Sequence, residues 1–117
     1  MTQGARLGGQ SQDYYLDNQK NERQLRSSSA WKRKSIEIRQ RANFLCEVCK
    51  DNAVIEYRNI EVHHIDKVTD NTDRLLDNYN LIALCQPHHK AADAGKIDKE
   101  YLRKLARGRE DGTNEKI

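Results

Sequence analysis

The chain has 117 residues and a net charge of +3, with 33% of its positions charged and only 6% aromatic. That length suits one domain, and so polar a chain buries too small a core to hold without a staple such as a bound metal. No run of about 18 apolar residues occurs, which excludes a membrane-spanning helix. The opening residues have no apolar core like that of a secretory signal, so a cytoplasmic location with reduced thiols is expected.

Charge is unevenly spread. Residues 1–45 carry nine basic and four acidic side chains, net +5. Residues 46–95 carry five basic and nine acidic, net −4, and residues 96–117 seven basic and five acidic, net +2. If the partner is a polyanion, the flanks should supply most phosphate contacts.

Residues 1–26 are polar and lack a sustained apolar period, so they read as a flexible arm with a helical turn near Tyr14, Tyr15 and Leu16. Ser27, Ser28 and Ser29 offer N-caps for a helix beginning near Ala30. In it Trp31, Ser35, Ile38, Ala42 and Leu45 recur at helical spacing as a buried stripe, with Lys32, Arg33, Arg39 and Arg41 mainly off it. Trp31 reads as a core anchor in preference to a base-stacking platform.

Cys46-Glu47-Val48-Cys49 follows at once. Ile60–Ile65 reads as a strand containing His63 and His64, and Leu81–Leu84 as a wholly apolar second strand. The connection from Asp66 to Asn80 is long for a hairpin. Its aspartates lack the spacing and central glycine of a calcium loop. Pro87 falls in the first turn of a short helix ending at Gly95. A last helix takes Asp98 as N-cap, with Ile97 and Leu102 as a hydrophobic staple, and stops near Gly108. The expected organisation is an arm at 1–26, one small α+β domain at 27–107 with its last helix at about 98–107, and a tail at 108–117.

All the cysteines and histidines lie between residues 46 and 89. Cys46, Cys49, Cys85 and His88 have the count and local spacing of a closed, structural Cys3His zinc site. Free buried thiols would not account for a CxxC matched by a CxxH, and three cysteines argue against a disulfide framework. Neighbouring residues of a helix project about 100° apart, so one metal can hardly take both His88 and His89. His89 must point elsewhere and can face His63 on the first strand. A strand histidine with a helix histidine makes an open two-ligand metal site with room for water and a substrate oxygen.

Taken in order, Ser29-Ala30-Trp31-Lys32, Leu45-Cys46-Glu47-Val48-Cys49, Val62-His63-His64-Ile65, Asn80 to Cys85 and His88-His89-Lys90 resemble the HNH nucleases. The likeness is to small phage and prophage members with a zinc knuckle, over roughly residues 27–95. It implies a ββα-metal (His-Me finger) core stapled by zinc, with flanking helices, and metal-dependent hydrolysis of DNA phosphodiesters to 5′-phosphate and 3′-hydroxyl ends. Cutting would be nicking or double-stranded, of low sequence specificity. The HNH letters fall on His64, Asn80 and His89. By this resemblance His64 is the general base, Asn80 braces the loop that orients it, and His63 and His89 hold a divalent ion (Mg, Mn, Ni or Zn).

Many relatives carry Asp where this chain has His63, which makes the site softer and more positive and tilts it from Mg toward Mn, Ni or Zn. In a regular strand His63 and His64 would also face opposite ways, so both can serve one phosphate only if the strand bends or ends there. Glu61 shares a face with His63, as an orienting carboxylate or simply an exposed strand residue. Arg33, Lys34, Arg39, Arg41 and Lys90 are candidate DNA contacts. DNA is the expected partner, with phage terminase or packaging proteins as further ones. The competing reading is a non-catalytic, zinc-ribbon-like module that binds DNA or a packaging protein. It needs only Cys46, Cys49, Cys85 and His88, leaving His63, His64 and His89 without a task.

Overall fold

A computed structural model describes residues 28–68 and 72–113. The expected arm at 1–26 lies outside the described residues. Helix α1 (Ser29–Arg41) starts at Ser28, whose hydroxyl accepts from the Trp31 amide at 3.2 Å. Such a cap satisfies one of the amides left open by the first turn. Ile38 and Ala42 of the expected stripe are buried, while Trp31, Ser35 and Leu45 are half-buried. Asn43 and Phe44 then take positive φ values of 56° and 59° and turn the chain into Cys46. Cys46 caps α2 (Glu47–Asp51), its sulfur accepting from the Cys49 amide.

The sheet of the described residues has two antiparallel strands, β1 (Glu61–His64) and β2 (Leu81–Leu84), paired Glu61 to Leu84, Val62 to Ala83, His63 to Ile82 and His64 to Leu81. β1 is shorter than the Ile60–Ile65 reading at both ends. Ile65 still donates to the Asn80 carbonyl at 2.9 Å, after which the chain bends into the loop. That loop contains two 3-10 turns, Thr72–Leu76 and Asn78–Asn80. α3 (Gln86–Asp93) follows with Pro87 in its first turn, and Gly95 reverses the chain at φ 74°. In α4 (Lys99–Asp111), the Asp98 carboxylate accepts from the Tyr101 amide at 3.2 Å.

The main core gathers Cys46, Val48, Ile65, Ile82, Leu84, Cys85, Leu102, Leu105 and Ala106, with Ile97 against it as the staple requires. A second, smaller cluster under the loop holds Val68 and Leu75, with Trp31 and Leu76 packed on it.

α4 corrects the sequence reading. It runs to Asp111 and closes on Gly112 in the left-handed conformation, so residues 108–111 are helix and not tail. A mid-helix glycine costs about 1 kcal/mol relative to alanine, and the contacts of the next two residues outweigh it. Arg109 meets Glu47 at 2.7 Å, with side chains only 4% and 8% exposed. It also donates to the carbonyls of Leu81 (2.9 Å) and Asn78 (2.6 Å). Burial raises the Glu47 carboxyl above its ordinary range, and Arg109 and the Ala83 amide oppose that shift. Burial alone would raise Glu110 as well, but Arg41, Arg109 and Asn78 hold it down to about 2.

Removing one partner of a buried ion pair strands the other. Arg109→Ala is therefore expected to cost about 3–5 kcal/mol in denaturant unfolding with zinc present. A loss below about 1 kcal/mol, the range of exposed pairs, would show that Arg109 does not hold the fold.

Candidate metal centres

The three cysteine sulfurs and one ring nitrogen of His88 converge where α2 meets the start of α3. Nδ1 of His88 lies 3.5 Å from the Cys46 and Cys49 sulfurs and 3.2 Å from that of Cys85, and the Cys49 and Cys85 sulfurs are 3.9 Å apart. A disulfide, with sulfurs about 2.05 Å apart, does not fit that spacing. Zinc does: bonds of about 2.3 Å to sulfur and 2.0 Å to nitrogen at tetrahedral angles give edges of about 3.8 and 3.5 Å. Burial, then neighbouring Cys46 and Cys85, pushes Cys49 up to about 12, and burial raises Cys46 too.

A second group lies on the other side of the His88-His89 pair. His63 on β1 and His89 and Asp93 on α3 bring one ligand atom each to within 4.8 Å of one another. Asp93 stands 3.3 Å from His63 Nδ1 and 3.6 Å from His89 Nε2. The imidazoles meet edge to face, centroids 5.2 Å apart. Burial foremost, then the charge of His89, lowers His63 to about 4, so its ring is neutral at cellular pH as a metal ligand must be. Side-chain exposure rises from 11% at His63 through 24% at His89 to 62% at Asp93, so the cluster opens to solvent on its Asp93 side. Two imidazoles and a carboxylate suit a divalent ion with open positions.

Glu61 accepts from His89 Nδ1 at 2.5 Å. That bond puts the proton on Nδ1 and the lone pair on Nε2, the nitrogen facing Asp93. Glu61 thus orients His89, and not the His63 considered from the sequence.

His64 is turned the other way and is only 8% exposed. Its Nε2 is 3.0 Å from the Leu75 carbonyl, which can only accept, so Nε2 carries the proton and Nδ1 the lone pair. Asn80 is fully buried and spans the loop. Its side-chain oxygen accepts from the Asp66 amide at 2.9 Å, and its NH2 donates to the Asp66 carbonyl at 3.0 Å.

One solved structure shares this arrangement of elements: the crystal structure of deep-sea thermophilic bacteriophage GVE2 HNH endonuclease with manganese ion. The similarity covers 80% of this chain and 95% of that one, at a TM-score of 0.59 and 29% sequence identity. This chain has the HNH endonuclease fold. Its sequence matches no family model and no curated protein. The Cys3His group fits a zinc knuckle.

Within the HNH fold the candidate DNA contacts are not equally available. Lys34 donates to Glu37 and Asn78, Arg41 forms a two-point pair with Glu110, and Arg39 donates to Ser35. Arg33 and Lys90 are exposed. No described helix is long and apolar enough to cross a membrane.

The sequence reading missed Asp93, whose signal was its position four residues after His89, one turn along the same helix face. Asp93 adds a carboxylate oxygen to the two imidazoles of the cluster. The reading also missed Glu47 and Arg109, for which no local spacing signal exists.

Because a thiol must lose its proton to bind zinc, and burial holds the protons on Cys46 and Cys49, zinc loading should release protons and apparent affinity should fall as pH falls. Titrating zinc into metal-free protein in two weakly buffered solutions of different ionisation heat measures the release. Cys85→Ser should lose the tight zinc, read by elemental analysis; an unchanged one-to-one content would rule out the clasp.

Proposed function

We propose that this chain is a metal-dependent DNA endonuclease related to phage HNH enzymes. The observation that carries the reading is a second ligand cluster, His63, His89 and Asp93, separate from the Cys3His clasp and beside an imidazole whose Nδ1 is the basic nitrogen. A binding module held by one zinc has no use for such a constellation. The HNH fold and the manganese in the related crystal structure support the same choice.

In this reading Cys46, Cys49, Cys85 and His88 hold a structural zinc. His63, His89 and Asp93 would hold a catalytic divalent ion, with Glu61 fixing the tautomer of His89. When bound, that ion supplies Lewis-acid stabilisation of charge growing on the scissile phosphate and leaving oxygen. His64 acts as general base: Nδ1 takes the proton of the attacking water while Nε2–H stays on Leu75, and the Leu75 carbonyl stabilises the imidazolium that results. Asn80 does not touch substrate. It ties Asp66 to the start of β2 and so holds the loop that carries Leu75. The products are a 5′-phosphate and a 3′-hydroxyl.

Supercoiled plasmid incubated with Mg, Mn, Ni or Zn tests the activity. His64→Ala should lose at least about a hundredfold in rate while keeping its fold and one zinc. An uncut plasmid with every ion, or equal cutting by the variant, would refute the reading. Glu61→Gln should weaken the second metal by about tenfold or more, seen by manganese EPR or calorimetry without DNA. Unaltered manganese affinity in that variant would remove Glu61 from the site.

A further inference from the structure

Trp31 is the chain's one tryptophan, and its indole lies stacked on the His64 imidazole. The centroids are 4.8 Å apart and the planes 26° from parallel. The same indole packs on the small cluster of Val68 and Leu75. Leu75 acts on His64 as well, since its carbonyl holds Nε2 at 3.0 Å. One loop cluster therefore meets the imidazole at its edge and, through Trp31, on its face.

The two contacts restrain different motions. A hydrogen bond at Nε2 restrains the position of that atom in the ring plane, whereas the direction of Nδ1 also depends on how the ring plane is tilted. A flat indole against the ring face opposes that tilting. Offset-stacked geometry is the arrangement that aromatic rings favour, and bulk alone would not require near-parallel planes. A base works only when its lone pair meets the proton it abstracts, and small misplacements are costly in rate.

We propose that Trp31 is a positioning residue for the general base: it sets the plane of the His64 ring, and hence the direction of the Nδ1 lone pair. This rests on the endonuclease reading. The competing account makes Trp31 only an apolar plug for the loop cluster, and the two accounts differ in what they demand of the side chain. A plug needs volume; a positioning residue needs a flat aromatic face.

Cleavage by the full-length, zinc-loaded protein with saturating Mn separates them, using Trp31→Leu and Trp31→Phe. Trp31→Leu should lose about tenfold or more in kcat with KM and manganese affinity nearly unchanged, and Trp31→Phe should recover most of the rate. If Trp31→Leu loses its circular dichroism spectrum, Trp31→Met, an unbranched apolar side chain, replaces it. Emission from the sole tryptophan gives a readout independent of activity. His64→Ala removes the stacked ring and should change its intensity, whereas Lys90→Ala should not.

Wild-type cleavage by Trp31→Leu, a Phe variant as slow as the Leu variant, or an emission unchanged by His64→Ala would each overturn the proposal. If wild type cuts and His64→Ala does not, those outcomes remove Trp31 alone. If wild type cuts nothing with any ion, the endonuclease reading falls and the role of Trp31 falls with it.

Discussion

In a sheet of two strands each strand has a partner on one side only, and here β2 is buried along its whole length. Its outer edge would be left with unpaired backbone groups in the core, which a small domain can ill sustain. The register says which groups these are. Ile65 bonds to Asn80, so alternation makes His63 with Ile82, and Glu61 with Leu84, the hydrogen-bonded pairs. Leu81 and Ala83 therefore aim their amides and carbonyls away from β1. Glu47 accepts from the Ala83 amide at 2.8 Å and Arg109 donates to the Leu81 carbonyl at 2.9 Å. A buried ion pair thus stands where a third strand would be. It joins α2, β2 and α4, so the elements carrying the cysteines are held in register with the hairpin between them.

On that frame the hairpin divides the labour of its histidines. The Cys3His group closes the chain across a gap of 35 residues between Cys49 and Cys85, and that gap contains β1, the loop and β2. Closing so long a gap costs about 1 kcal/mol more loop-closure entropy than closing the dozen or so residues of a local finger. The residues proposed for chemistry, His63 and His64, lie inside the closed segment, and His89 directly follows it. The two groups that could hold a metal ion therefore use the adjacent His88 and His89 without sharing ligands.

What could be read from the sequence follows the range of each interaction. The CxxC and CxxH spacings are local, so the clasp was legible, as were the strands and the caps at Ser28 and Asp98. Asp93 was legible in principle, since a helix brings positions four apart together. Glu47 and Arg109 were not: they lie 62 positions apart, and each alone looks like a solvated charge. Gly108 misled for the same reason, because a helix-breaking residue was judged without the long-range contacts of its neighbours. The Trp31–His64 stack was hidden likewise. Helical periodicity placed Trp31 toward the interior, and only the fold shows that a histidine lies under it.

The two neighbouring histidines face opposite sides of β1. Strand alternation sends His63 to the side of α3, where it meets His89 and Asp93, and His64 to the side of α1, where it meets Trp31. The strand does not run on into the loop. β1 instead ends at His64, and Ile65 and Asp66 already lie in a bend braced by Asn80. The rings remain close enough that charge on His64 lowers the proton affinity of His63. The two adjacent side chains thus pack against different helices, His64 on Trp31 and His63 on His89 and Asp93. Asn80, fully buried, ties that bend to the start of β2.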